Sequence, residues 1–98
     1  MRQITNDSIN AFMNAKPFSR QNMIVEVLTN VTILKLHNNE IAYRYNYPER
    51  TLSITNCGWF TNATKESLNA LPNVNIYQKN LNWYLNGKEW NGELIDIK

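Results

Sequence analysis

The run Asn82-Trp83-Tyr84-Leu85-Asn86-Gly87-Lys88-Glu89-Trp90 constrains this chain more than any other segment. Asn-Gly between alternating apolar residues is the strongest short-range hairpin signal, because both residue types accept the positive φ of a type I′ turn. Counting outward from the turn sets Leu85 opposite Lys88, Tyr84 opposite Glu89 and Trp83 opposite Trp90. Two indoles then meet on one face of the ribbon, where aromatic cross-strand pairs stabilise beyond simple burial.

Size and composition narrow the remaining choices. With 98 residues, 43% of them hydrophobic, the chain suits one domain (1–98) with a single modest core. No apolar run approaches the roughly 20 residues needed to span a bilayer, and the N-terminal residues lack a secretory signal, so a soluble protein without membrane contact is expected. Cys57 is the only cysteine, which excludes an intrachain disulfide and a multi-cysteine zinc site. It reads as a small buried hydrophobe. The net charge of +2, with acidic and basic residues interspersed, argues against a dedicated binder of duplex nucleic acid. Asparagine supplies 17 of the 98 residues, but dispersed among good apolar periodicities. That bias fits an A/T-rich genome better than a low-complexity tract.

The first element reads as a short helix with Thr5 as N-cap, Asp7 in the first turn, Ile4 stapled against Ile9, and an apolar stripe of Ile9, Phe12 and Met13. Pro17 stops it. From Met23 the period becomes two, giving strands Met23 to Leu28, Val31 to His37 and Glu40 to Tyr47. A two-residue turn at Asn38-Asn39 would place His37 opposite Glu40, Leu36 opposite Ile41 and Leu34 opposite Tyr43. Tyr47-Pro48-Glu49-Arg50 turns the chain into a fourth strand, Thr51 to Thr55, in a simple meander. A second helix follows near Asn62 to Leu71, ended by Pro72. Strands are expected at Val74 to Gln78, Asn82 to Leu85 and Lys88 to Trp90, and Asn91-Gly92 makes a further turn or bulge before Leu94 to Ile97. The order α-β-β-β-β-α-β-β-β predicts an α+β, two-layer fold with a mostly antiparallel sheet.

Catalytic chemistry finds little support in the residues. One His and one Cys do not make a first-row metal site, so neither a metal nor a cofactor is expected. His37 beside a turn reads as a surface pair with Glu40. Cys57, His37 and an acid supply the residue types for nucleophilic catalysis, yet no local motif joins them, and an enzyme is not expected.

Two segments remain as candidate binding sites. In Gly58-Trp59-Phe60-Thr61-Asn62-Ala63-Thr64-Lys65, a glycine loop feeds a helix N-terminus whose free N–H groups and dipole favour phosphate or carboxylate. Thr61 and Thr64 would donate hydroxyls, Asn62 lies in the first turn, Lys65 would add charge, and Trp59 would stack on a base. The plainer reading has Thr61 or Asn62 capping the helix, Lys65 solvated and Trp59 in the core. The second segment, Tyr43-Arg44-Tyr45-Asn46-Tyr47, sets three tyrosines on one strand face and Arg44 on the other; with Arg50 this would suit single-stranded nucleic acid. Against that use, the expected register gives Tyr43 and Tyr45 the same face as Leu34, Leu36 and Ile41, which reads as core.

Taken together, Ile54-Thr55-Asn56-Cys57-Gly58-Trp59, Thr64-Lys65-Glu66-Ser67-Leu68-Asn69-Ala70-Leu71-Pro72 and Trp83-Tyr84-Leu85-Asn86-Gly87-Lys88-Glu89-Trp90-Asn91-Gly92 resemble a family of short tailed-bacteriophage proteins of unassigned function. The similarity includes His37-Asn38-Asn39-Glu40-Ile41-Ala42, with Asn38 where the family often has Gly and Cys57 where Ala is common. The resemblance implies a phage source, in keeping with the A/T-rich codon bias, and a place in the host cytoplasm, but no activity. Small accessory phage proteins without catalytic residues commonly act by binding. The expectation is therefore a non-enzymatic protein of counter-defence or host takeover that sequesters a nucleotide-like or phosphate-bearing small molecule, with paired chains of a homo-oligomer completing the pocket. The alternatives are an inhibitor that blocks a host protein through an edge strand or aromatic patch, and a single-stranded nucleic-acid binder.

Overall fold

A computed structural model describes residues 2–46 and 50–97. Helix α1 (Gln3–Met13) is followed by β1 (Phe18–Arg20), β2 (Met23–Val27), β3 (Val31–Leu36), β4 (Asn39–Tyr45) and β5 (Thr51–Ile54). Helix α2 (Asn62–Asn69) then leads to β6 (Ile76–Lys79), β7 (Asn82–Leu85), β8 (Lys88–Glu89) and β9 (Ile95–Ile97). The class is α+β, as the periodicities predict. The expected series omits the three-residue β1 and counts three strands after α2 where four form.

The strands make two antiparallel sheets. The larger follows a meander from β1 to β5 and adds β9 beside β5; the smaller is β6-β7-β8. Its β7–β8 register is the one read from Asn86-Gly87, with Tyr84 opposite Glu89 and Leu85 opposite Lys88. Beyond the ladder, the Trp90 N–H donates to the Trp83 carbonyl at 2.9 Å, and the two indole centroids lie 6.4 Å apart. Both indoles are buried.

The helices cover one face of the larger sheet. Met23 and Val25 of β2 face Leu36 and Leu34 of β3, Leu34 faces Ala42 of β4, and Ala42 faces Ile54 of β5, so these side chains form one apolar surface. Ile4, Ile9, Phe12 and Leu68 from the helices join the same core cluster.

Helix α1 starts earlier than expected, with Arg2 at the N-cap and no side-chain cap. Thr5 is therefore an interior residue, fully buried, whose hydroxyl donates to the Glu66 carboxylate of α2 at 2.7 Å. A hydroxyl committed to a second helix cannot also cap its own. The C-terminus closes before Pro17: Ala15 takes φ 53°, and the Lys16 N–H donates to the Ala11 carbonyl at 2.9 Å, a Schellman arrangement.

The β3–β4 connection departs from the expected register. The turn residues are His37 and Asn38, with φ 52° and 65°, so Leu36 pairs with Asn39 and Lys35 with Glu40. A bulge then falls between the Lys35–Glu40 and Leu34–Ala42 pairs, leaving Ile41 as the extra residue. Ile41 and Ala42 are both buried although they are adjacent, which regular alternation does not allow. Tyr43 consequently lies opposite Ile33 and not Leu34, so Tyr43 and Tyr45 sit on the face of the sheet away from the helices. Their expected place in the core is corrected by this one-residue bulge. The Tyr47-Pro48-Glu49 part of the next turn lies outside the described residues.

Candidate functional site

The approach to α2 is built to hold a large side chain outward. After β5, Cys57 and Gly58 take φ 53° and 82°, which reverses the chain so that the Trp59 N–H returns to the Asn56 carbonyl at 2.9 Å. Asn56 stabilises the reversal through its side chain, whose oxygen accepts from the Gly58 N–H at 2.8 Å. Trp59 emerges 54% exposed, which corrects the reading of this residue as core. Phe60 differs in its contacts: its ring meets Trp83 edge-on with centroids 5.1 Å apart.

Trp59 forms one wall of a cleft of about 460 Å³. Thr61, Ala63 and Thr64 of the α2 start share that wall, and the β3–β4 connection supplies the other through Leu36, His37, Asn39 and Ile41. The floor is apolar because the bulge turns Ile41 inward beside Leu36. The cleft thus joins segments some twenty residues apart in the chain, and their meeting depends on the same bulge that displaces the tyrosines.

The polar groups around the cleft are partly committed. Thr61 caps α2, its hydroxyl accepting from the Thr64 N–H at 3.2 Å, and its carbonyl accepts from the Lys65 N–H at 3.1 Å. The Thr61 and Thr64 hydroxyls also pair with one another at 3.0 Å, so they are less available to a ligand than their residue types suggest. Asn62 and Ala63 hold the remaining early N–H groups of the helix. Lys65 stands over the Trp83 ring with its Nζ 5.9 Å from the centroid, and neither it nor Asn62 lines the cleft. Of the five residues singled out near α2, the structure therefore gathers Trp59, Thr61 and Thr64. His37 and Asn39 were missed as site residues. A turn was legible here, but one residue later than the His37-Asn38 turn that forms, and nothing in their spacing connects them to Trp59.

His37 does not pair with Glu40. Its Nε2 lies 3.1 Å from the Asn22 amide nitrogen, and its backbone N–H donates to the Asn22 carbonyl at 2.9 Å, which ties the β3–β4 turn to the β1–β2 turn. Cys57 is exposed, not a buried hydrophobe, and its thiol donates to the Glu40 carbonyl at 2.8 Å. Partial burial, helped by the nearby Glu40 carboxylate, raises the Cys57 pKa, which disfavours the thiolate that nucleophilic chemistry needs. Cys57 is not among the cleft residues. Among the described residues no group of three or more His, Cys, Asp or Glu is placed to hold a metal ion.

The tyrosine segment is divided by the sheet. Tyr43 and Tyr45 stack on the outer face with centroids 6.2 Å apart, and the Tyr43 hydroxyl donates to Glu40 at 2.7 Å. Burial, reinforced by Glu40, pushes the Tyr43 pKa up to about 12. Arg44 faces the other way, opposite Leu52, and with Arg50 borders a separate hollow of about 160 Å³ beside Met13 and Pro72. Glu26 and Glu40 share the outer face with the tyrosines, so the aromatic and basic parts of a nucleic-acid platform do not coincide. Tyr47 lies outside the described residues.

Among the described residues no helix is long and apolar enough to cross a membrane. No curated protein and no solved structure matches the chain. The family comparison is positive and nearly complete in extent: residues 1–95 match the model of the Kyanoviridae Gp96 protein, and the chain belongs to that phage family.

Proposed function

We propose that this phage protein is non-enzymatic and acts by capture, with the cleft between Trp59 and His37 receiving the flat aromatic part of a nucleotide-type small molecule. One observation carries this reading: a large indole is held more than half exposed on the wall of an apolar cleft of about 460 Å³. Exposing a tryptophan forgoes the burial that makes its side chain valuable to a fold. A volume in this range suits a small ligand, and base stacking on an aromatic ring is worth about 1–3 kcal/mol. Leu36, Ile41 and Ala63 would contact the ring faces and edges, while His37 and Asn39 would read its polar rim. A phosphate carried by the same molecule would lie nearest the α2 start, where the Asn62 and Ala63 N–H groups and the helix dipole favour negative charge.

In a phage protein working in the host cytoplasm, such capture suits counter-defence or host takeover by removal of a signal nucleotide. The cleft is open on one side, and a second copy of the chain would close it over the ligand. Calorimetric titration with cyclic dinucleotides, ADP-ribose and adenine nucleotides tests the reading. Saturable binding of at least one of them, weakened at least tenfold by Trp59→Ala, is expected. Silence across the whole panel would overturn it.

A further inference from the structure

The larger sheet ends at β9, which pairs with β5 on one side and, among the described residues, has no partner strand on the other. The smaller sheet likewise ends at β8. A groove of about 1060 Å³ is lined by residues of both strands, with Trp90 and Ile95 among its apolar groups. An open strand edge beside an apolar groove is the arrangement by which sheets accept an added strand: main-chain hydrogen bonds give affinity and the groove takes alternate side chains.

Two further observations say what kind of strand. Leu81, at the β6–β7 turn, lines this groove while 90% exposed and at φ 71°. Its φ belongs to the two-residue β6–β7 turn, which it shares with Asn80 at 53°, and its exposure leaves a large apolar side chain free to cover a bound strand. The groove is also acidic: Glu89, Glu93 and Asp96 line it against Lys88 alone, in a chain whose net charge is +2. The Asp96 carboxylate accepts from the Ser53 hydroxyl, and neither Glu89 nor Glu93 joins an ion pair among the described residues. Two copies joined edge to edge at β9 would bring these carboxylates together, which works against self-pairing.

We infer that this groove takes an extended peptide segment of a partner protein, one in which apolar and basic side chains alternate, added as a strand along β9. Its apolar side chains enter the groove under Leu81 and against Trp90 and Ile95. Its basic side chains meet Glu89, Glu93 and Asp96. This surface is independent of the Trp59 cleft, and neither reading requires the other.

Fluorescence anisotropy with a labelled octapeptide of alternating valine and lysine tests the inference in the full chain. Saturable binding is expected, with none for the alternating valine–glutamate peptide, although the protein as a whole is cationic. Glu89→Lys with Glu93→Lys should weaken binding at least tenfold. Leu81→Gly should weaken it at least fivefold while leaving Tm unchanged or raised, because glycine suits the positive φ. Failure of the valine–lysine peptide to bind, equal binding by both variants, or equally tight binding of an alternating glycine–lysine peptide would overturn the inference. Sedimentation that finds a dimer sealed along residues 95–97 would overturn it as well.

Discussion

Gly92 packs so closely on Asn56 that a Cβ at position 92 would sit 2.1 Å from the Asn56 side-chain oxygen. The contact joins the loop before β9 to the segment just after β5, since the Gly92 carbonyl accepts from the Asn56 N–H at 3.1 Å and from the Thr55 hydroxyl at 2.6 Å. Gly92 also has φ 92°, and Asn56 is fully buried and in turn supports the Gly58 turn before Trp59. Gly92→Ala therefore meets a steric and a backbone obstacle together, and should cost about 2–4 kcal/mol. Urea unfolding would read this as a lowered midpoint with an unchanged m-value.

Thr61 connects helix formation to the cleft. Its hydroxyl caps α2 by accepting from the Thr64 N–H, so Thr61→Ala should cost about 1 kcal/mol, and Thr61→Ser should restore most of it. Thermal unfolding of the two variants checks the order, which would be reversed if the threonine methyl, not its hydroxyl, supplied the stability.

The raised pKa of Tyr43, about 12 against an ordinary value of 10, has a sign that follows from linkage. The folded state holds the phenol proton more tightly than the unfolded chain, so the resulting stabilisation is fully present below pH 10 and is lost as pH rises towards 12. Absorbance titration near the tyrosinate band should contain one late step that Tyr43→Phe removes. That variant should also lose less stability than the parent between neutral pH and the alkaline limit. A titration curve unchanged by Tyr43→Phe would contradict this assignment.

The parts of this fold that were legible in the sequence are those set by neighbours along the chain. Asn86-Gly87 determines the β7–β8 register because both residues must carry positive φ, and Thr61 announces the start of α2 because a cap acts over three residues. The rest depends on tertiary contact. Ile41 is the clearest case: an extra residue in β4 buries two consecutive side chains and sends Tyr43 to the outer face, and no local alternation signals it. Thr5 resembles an N-cap until Glu66, on the other helix, claims its hydroxyl. The cleft was half visible. Trp59, Thr61 and Thr64 share one short segment, whereas His37 and Asn39 reach it only through the bulged hairpin. Lys65 has the right charge and position in sequence, but the nearby Trp83 ring draws it aside.

Stacking on Trp59 is the physical core of the proposed capture, and Trp59→Ala isolates it, because a side chain 54% exposed should cost the fold less than about 1 kcal/mol when removed. The most direct measurement is the amide and indole NMR spectrum of the intact chain during addition of the panel nucleotide that binds most tightly. The account predicts that shifts concentrate on the Trp59 indole N–H and on the amides of His37, Asn39, Asn62 and Ala63, and that in Trp59→Ala, whose own spectrum stays folded, the same amides shift only at ligand concentrations at least tenfold higher. Shifts centred on Tyr43 and Tyr45, or unaltered in Trp59→Ala, would contradict it.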